Sequence, residues 1–302
     1  MKNAAGLLIS IILLSLILTV GGCGEGEKEK SDDEAFRVPD SLLTDKDPFD
    51  LVEDSYHPVK GGDIANEDIW VHYPPTELYD YLSGKMFGIA FRSYQEIKEK
   101  IGRPSEGRVT CIGAADMDEY KLLTQKEWWY YGTIKGDTIY FEPYNVMLKR
   151  YDRASDQNIA EIGFKQRFAQ MALERRSNGN IPTWLKESMA SYYAGEGYVL
   201  KAQAAQWREE YFDFRVTEQE LNQYLRDAQN MALTRISYYI AYQMFENMME
   251  IYSEDEVLAF VDKLGEEKSL DKASMEVFGV NYEGLISKID DYESVPPEDW
   301  KG

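Results

Sequence analysis

The stretch that decides the fold runs from Glu161 to Ala190 and reads EIGFKQRFAQMALERRSNGNIPTWLKESMA. Its periodicity predicts one helix, a short break, and a second helix that opens at Pro182. Glu187 lies among apolar neighbours in the second helix, and a carboxylate in such a setting needs a partner. The stretch therefore raises the question of whether Glu187 holds a metal ion, and where the other ligands would be.

The chain around this stretch divides into two parts with different patterns. Between residues 63 and 150, alternating aromatic and β-branched runs predict a mixed β-sheet with one or two helices. Its strands include Asp68–Tyr73, the run MFGIAF at 86–91, and a hairpin that turns at Gly136-Asp137. Between residues 151 and 293, apolar residues recur every three and four positions, which predicts a helical part. A sheet followed by helices predicts an α+β fold.

Capping residues and helix breakers set the predicted boundaries of the helices. Thr217 and Ser253 each precede a Glu by three positions, which is the pattern of a capping box. Gly195 follows the helix that begins at Pro182 and predicts its end. The predicted helices are Gln157–Arg176, Pro182–Ala194, Leu200–Phe214, one opening at Thr217, Leu233–Tyr252, one opening at Ser253, Ser269–Phe278 and Tyr282–Tyr292.

The N-terminus has the layout of a secretion signal. Lys2 precedes a long apolar run, and small residues then lead to Cys23. The sequence VGGC, Val20–Cys23, resembles the lipobox of bacterial and archaeal lipoproteins, in which the Cys carries the lipid. The resemblance implies a signal peptide at 1–22 and a lipid on Cys23 that anchors the chain to the membrane in the cell envelope. The alternative is an uncleaved anchor helix, which also places the remaining chain outside the cytoplasm.

Composition predicts a linker and argues against nucleic acid as a partner. Residues 23–62 are rich in Glu, Lys, Asp and Ser and predict a disordered acidic linker, while residues 294–302 predict a short tail. The formal charge of −21 makes nucleic acid a poor partner because phosphate backbones would repel the chain. Cys111 is the only other cysteine, so no disulfide framework exists, and its strand-like setting predicts a buried apolar residue.

The helix, the break and the motif P-x-W-L-x-E-x-x-A together resemble the active-site region of gluzincin zinc metallopeptidases, specifically the peptidase MA-like family. In that family the first helix carries His-Glu-x-x-His, and the Glu of the second helix is the third zinc ligand. The order of the preceding sheet and of the following helices is also similar, so the resemblance spans residues 66–292. It implies a zincin-like fold, with a small mixed-sheet subdomain at 63–150 and a helical subdomain at 151–293.

Carrying the motif over residue by residue shows a degenerate site. The first His position falls on Phe164, the catalytic Glu position on Lys165, and the second His position on Phe168. The third ligand position falls on Glu187. The chain has only two His, neither with a second His at ligand spacing, so no zinc or other cofactor is expected. This alignment predicts that both Phe rings and Glu187 converge on one buried spot, and that Glu187 pairs with Lys165 or an Arg, or else contributes to a ligand groove.

These observations favour a lipid-anchored relative of the peptidases that has lost catalysis and binds a peptide or a partner protein. The expected ligand groove includes Lys165, Trp184 and Glu187. Two alternatives stay open: a hydrolase with a site that does not use zinc, and a structural or assembly lipoprotein. The latter would use the aromatic run Trp128–Tyr131 as an interface, against the simpler interpretation of a sheet covered on both faces.

Overall fold

A computed structural model describes residues 57–59, 63–74, 82–126, 132–144, 146–147, 159–227, 230–266, 268–294 and 296. All of them fall within one compact unit, Val38–Gly302. The predicted signal peptide at 1–22, Cys23, the aromatic run Trp128–Tyr131, the boundary at residue 150, and most of the linker and the tail lie outside the described residues. Within the described ranges, no helix has the length and apolar character needed to cross a membrane.

Six strands form one sheet in the order β1-β2-β3-β4-β6-β5. Strands β3, β4 and β6 are parallel neighbours, and the other three pairings are antiparallel, so β5 lies at one edge. The mixed sheet expected from the sequence is therefore confirmed. The strands are β1 His57–Val59, β2 Asp63–Ala65, β3 Ile69–His72, β4 Val109–Gly113, β5 Thr133–Lys135 and β6 Thr138–Phe141.

The sheet begins earlier than the sequence indicated. Strand β1 lies inside the range 23–62 that was predicted to be a disordered linker, yet its backbone pairs with β2 from His57 opposite Ala65 to Val59 opposite Asp63. Three residues carry too little periodicity to reveal a strand among charged neighbours. The linker prediction is therefore wrong at its C-terminal end.

The central strands follow the expected alternation. In β4 every second residue is buried, and the Cys111 side chain is fully buried, as predicted. The hairpin β5–β6 is confirmed, with Lys135 paired to Thr138 across the two-residue turn. Gly136 has φ 60° in that turn, a backbone conformation that a glycine adopts without strain.

Helix α1, Leu82–Lys100, replaces a predicted strand. The run MFGIAF at 86–91 was expected to be a strand, but it forms the second and third turns of this helix. Met86, Phe87, Ala90 and Tyr94 are all buried at helical spacing against the sheet and α3. A short apolar run has the same appearance in a buried helix and in a buried strand, and only the residues that follow it distinguish the two.

Eleven helices are present in the described ranges. They are α1 Leu82–Lys100, α2 Met117–Thr124, α3 Ile159–Arg176, α4 Thr183–Ala194, α5 Gly197–Ala205, α6 Arg208–Tyr211, α7 Glu218–Asp227, α8 Met231–Ile251, α9 Glu254–Gly265, α10 Leu270–Phe278 and α11 Tyr282–Ile289. The structure is thus a mixed α+β fold that is mostly helical.

Most of the predicted caps are present. Ser253 and Glu256 form a capping box at the start of α9, and Thr217 with Glu220 makes the same contacts before α7. Gly195 ends α4 in the left-handed conformation.

The predicted helix Leu200–Phe214 is instead two helices, α5 and α6. Residues of α5 pack on Tyr239 in a small separate cluster, whereas Trp207 and later aromatic residues pack on the main core. The sequence analysis also did not identify α2, whose N-cap is Asp116.

Helix α3 is the central helix of the fold. It packs between α1 on one side and α4 on the other, and one hydrophobic core joins the sheet to the helices. Phe164 and Phe168 are fully buried on the side of α3 that faces α1 and the sheet. The opposite side of α3 carries polar residues, and these lead to the site described next.

Candidate functional site

A groove of about 1070 Å³ lies between the sheet edge and the helices. One wall is the hairpin β5–β6, from Gly132 to Asp137, and the other wall is made of α3 and the start of α4. The end of α7 and Tyr238 of α8 complete it. Among the described residues β5 is an edge strand, so the groove runs beside backbone groups for which the structure describes no strand partner on that side.

Four side chains form a connected polar network that lines the groove. The Arg167 guanidinium donates to Gln170 Oε1 at 2.7 Å, and Gln170 Nε2 donates to Glu187 Oε2. The Tyr238 hydroxyl donates to the same Glu187 oxygen at 3.2 Å. Three helices, α3, α4 and α8, are joined by these contacts. The network holds Glu187 in one orientation and supplies hydrogen bonds to a side chain that is only 8% exposed.

A second polar cluster lies one helical turn away and is fully buried. Gln166 Nε2 donates to Glu196 Oε2 at 2.9 Å and to Ser191 Oγ, and Ser191 Oγ donates to Glu196 Oε2 at 2.8 Å. Burial raises the pKa of the Glu196 carboxyl, and the nearby Glu187 charge raises it further. The Ser191 hydrogen bond and the charges of Arg167 and Arg235 oppose that rise of the pKa. Glu196 therefore favours its neutral form more than an exposed glutamate does.

The two clusters share a simple helical geometry. Gln166 and Gln170 are four residues apart on α3, and Glu187 and Ser191 are four residues apart on α4. Residues at this spacing lie on one face of a helix, so the two pairs face each other. Gln170 meets Glu187 and Gln166 meets Ser191. This interface is polar, although it is buried between two helices.

The predicted convergence of both Phe rings with Glu187 does not occur. Phe164 stacks on Phe168 with 6.0 Å between ring centroids, and Phe164 also packs on Phe141 of β6. Phe168 meets the edge of the Tyr94 ring in α1. These rings face the sheet and α1, while Glu187 faces the groove. Helix geometry explains the difference. Gln170, which contacts Glu187, is two positions after Phe168, and residues two positions apart lie on nearly opposite sides of a helix.

Lys165 and Trp184 do not line the groove. Lys165 pairs with Glu96 at 2.6 Å and with Glu161 at 2.5 Å, so it joins α3 to α1. The expected pairing of Glu187 with Lys165 is therefore wrong. Trp184 is fully buried, and its indole N–H donates to the Tyr282 hydroxyl at 2.8 Å. Of the three expected groove residues, only Glu187 is a lining residue.

The sequence analysis missed the residues that do meet Glu187. They are Gln170 and Tyr238. Gln166, Arg167 and Gln170 have the spacing of the predicted motif but begin two positions later in the chain. The i, i+4 pair of amide side chains was the available signal. Gln and Arg normally occupy exposed positions, so this pair alone does not indicate a buried polar site.

These side chains do not suit zinc. Protein zinc sites use Cys, His and carboxylate ligands, and here the polar face of α3 that packs against α4 carries the amides of Gln166 and Gln170 and the guanidinium of Arg167. In the described ranges, no group of three or more His, Cys, Asp and Glu is placed to hold a metal ion. His72 lies far along the sheet order from β5 and contacts Asp63.

The groove carries charges of both signs. Two of its cations are neutralised locally, since Lys186 pairs with Glu174 at 2.8 Å and Arg175 pairs with Glu106 at 3.0 Å. Arg226 lies at the α7 end of the groove and donates to the carbonyl oxygen of Asn222. The groove is therefore much less acidic than the chain as a whole, whose net charge is −21.

Comparison of the chain with protein-family models, with curated proteins and with solved structures gives no match.

Proposed function

We propose that the protein is a lipid-anchored extracytoplasmic binding protein, not an enzyme, that holds an extended peptide segment in the groove beside β5. We also propose that its fold is zincin-like and derives from gluzincin peptidases of the peptidase MA-like type. In this proposal Gln166, Arg167 and Gln170 occupy the positions of His-Glu-x-x-His, and Glu187 is the remaining ligand position.

The observation that carries the binding proposal is the edge strand in the groove wall. Lys135 and Thr138 flank a two-residue turn, and Ile134 pairs with Ile139 in the next position. Because hydrogen-bonded and non-hydrogen-bonded pairs alternate along an antiparallel ladder, the N–H and C=O of Ile134 point away from β6. An extended peptide can bind these groups as an added strand, which is a common mode of peptide recognition.

The side chains around Glu187 support binding over catalysis. Zinc peptidases use a metal-bound water and a carboxylate base, and neither an amide nor a guanidinium replaces these groups. Gln170 and Tyr238 hydrogen-bond to Glu187, and Arg167 hydrogen-bonds to Gln170, so these side chains are held within the protein. A rigid polar surface of this kind fixes the orientation of a bound ligand without reacting with it.

The edge strand provides a matched test of the binding proposal. Ile134→Pro removes the outward N–H, while Ile134→Ala shortens the same side chain and keeps the N–H. The purified full-length chain is titrated with members of a random decapeptide library that it retains. We expect Ile134→Pro to weaken binding about fivefold or more relative to Ile134→Ala, the effect of about one hydrogen bond. Equal affinities for the two variants, or a library with no retained peptide, would contradict the proposal.

The absence of zinc catalysis is tested separately. Elemental analysis of the purified chain is expected to show less than stoichiometric zinc, with no peptide cleavage that a chelator inhibits. Stoichiometric zinc together with chelator-sensitive cleavage would overturn the non-catalytic assignment.

The anchor is tested through Cys23. We expect Cys23→Ser to abolish labelling by a fatty-acid precursor, whereas Cys111→Ser, at a cysteine buried in β4, retains it. Labelling that persists in Cys23→Ser would show that the lipid is not attached at Cys23 and would contradict the proposed anchor.

A further inference from the structure

The two carboxylate oxygens of Glu187 have different surroundings. Oε2 accepts hydrogen bonds from Gln170 and from Tyr238. In the part of the chain that the structure describes, Oε1 accepts none. The side chain is 8% exposed and is a lining residue of the groove, so the small accessible part of Glu187 faces the groove. A nearly buried carboxylate with one free oxygen has a strong tendency to bind a donor.

The neighbouring cations do not fill this position. Lys186 is adjacent in the chain, but its ammonium group pairs with Glu174 at 2.8 Å. The Arg167 guanidinium donates to the amide oxygen of Gln170 at 2.7 Å, and it is Gln170, a neutral side chain, that donates to Glu187. Glu187 therefore retains a charged acceptor that faces the groove, and charged acceptors form stronger hydrogen bonds than neutral ones.

We infer that Glu187 Oε1 binds the ammonium group of the ligand, either the amino terminus of a peptide or a lysine side chain. This inference rests on the proposed peptide-binding function. An ammonium group supplies a full charge and three donors to an oxygen that has none. The net charge of −21 also attracts cationic ligands to the protein as a whole. A ligand carboxylate at the same point would meet Glu187 with like charge and is disfavoured.

The substitution Glu187→Gln isolates the free oxygen. The amide oxygen of the new side chain can accept from both Gln170 and Tyr238, as Oε2 does. Its NH₂ group then takes the place of Oε1, so an acceptor becomes a donor while the shape stays the same. An unchanged melting temperature shows that the fold is retained. Glu250→Gln is the matched control, because it removes one negative charge at an exposed position of α8 that does not line the groove.

Three sets of C-terminally amidated decapeptides serve as probes, and isothermal titration calorimetry gives their affinities. The first is lysine-free with a free amino terminus, the second is the same set acetylated, and the third is acetylated and contains one lysine. We expect the first or the third set to bind the wild-type chain about 10- to 100-fold more tightly than the second. Whichever set binds tightly identifies the source of the ammonium group.

The variants decide between the possible failures. Glu187→Gln should abolish the difference in affinity between the tightly binding set and the acetylated, lysine-free set, and Glu250→Gln should preserve that difference. If the acetylated, lysine-free set binds as well as the others, the ammonium assignment is wrong while peptide binding stands. If no set binds, the proposed function itself is wrong, and the ammonium assignment is withdrawn with it.

Discussion

Gln170 donates a hydrogen bond from its side-chain amide to Glu187 Oε2 and thereby joins α3 to α4 beside the groove. The same amide accepts from Arg167 through its oxygen. One neutral side chain thus hydrogen-bonds to a cation and to a carboxylate at once, and both of these residues are largely buried. The arrangement replaces direct contact between opposite charges with a relay through an amide.

The relay predicts a specific loss of stability. Gln170→Met keeps the length of the side chain but leaves Glu187 with one donor fewer and removes a partner of Arg167. We expect a loss of about 1–3 kcal/mol in the free energy of unfolding, measured by urea denaturation. The control Gln223→Met, at an exposed position of α7, should change stability by less than about 0.5 kcal/mol. Equal effects of the two substitutions would mean that the relay contributes no stability.

The position of the i, i+4 pair predicts where a zinc site can be introduced. The triple substitution Gln166→His, Arg167→Glu and Gln170→His places two imidazoles on the α3 face that meets Glu187. We expect this variant to bind one zinc ion, measured by elemental analysis. Zinc at 1,000 times its Kd should then add about 4 kcal/mol of stability, which a chelator removes.

The matched control for zinc binding is the same triple two positions earlier, Phe164→His, Lys165→Glu and Phe168→His. It replaces two fully buried rings with imidazoles that face α1 and the sheet. We expect this protein to be unfolded or free of zinc. A folded control that binds zinc as well as the first variant would contradict the proposal that Gln166, Arg167 and Gln170 occupy the motif positions.

Removing a ring from the aromatic side of α3 should cause a large loss of stability. Phe168 is fully buried and meets the Tyr94 ring edge-on at 5.5 Å. Phe168→Ala removes this contact and leaves a cavity, so we expect a loss of about 3–5 kcal/mol by chemical denaturation. Phe212→Ala, at a residue that is 61% exposed, should cost far less. A small effect at Phe168 would mean that the core collapses readily around the cavity.

Glu196 predicts a pH dependence with a definite sign. Burial raises the pKa of its carboxyl in the folded state above the ordinary value of 4.5. The folded protein therefore holds this proton more tightly than the unfolded chain, and the contribution of Glu196 to stability falls as pH rises from about 4.5 through the raised pKa. Glu196→Gln resembles the protonated form at every pH and lacks this loss.

The measurement for Glu196 is urea denaturation of both proteins between pH 4.5 and pH 8. Near the lower limit the two proteins should have similar stability. As pH rises, Glu196→Gln should become the more stable protein, by about 1.4 kcal/mol for each unit of pKa shift, until the difference levels off. A difference that stays constant with pH, or that grows toward low pH, would show that Glu196 is ionised in the folded protein.

The elements that were predicted correctly have local signals. The Gly136-Asp137 turn determines the β5–β6 hairpin, and the Ser253 capping box marks the start of α9. The buried state of Cys111 follows from alternation in β4. In each case a few neighbouring residues contain the whole signal, so no knowledge of the tertiary structure is needed.

The elements that were missed depend on distant contacts. The run 86–91 became a helix because Ala90 and Tyr94 continue its buried face against the sheet and α3. The expected convergence of Phe164 and Phe168 on Glu187 does not occur, because the α3 residue that contacts Glu187 on the next helix is Gln170, two positions after Phe168. Residue type alone assigns Gln to the surface and Phe to the core, and it does not reveal which polar face a second helix covers.

Helix α3 carries an aromatic side and a polar side within eighteen residues. Its aromatic side packs in the core, and its polar side lines the groove where we propose that a ligand binds. A saturation mutagenesis experiment that scores abundance and ligand capture independently should therefore give two profiles along α3 that are out of phase by about half a helical turn. Substitutions on the polar side of such a helix can change what the groove binds while the aromatic side preserves the fold, both in evolution and in protein engineering.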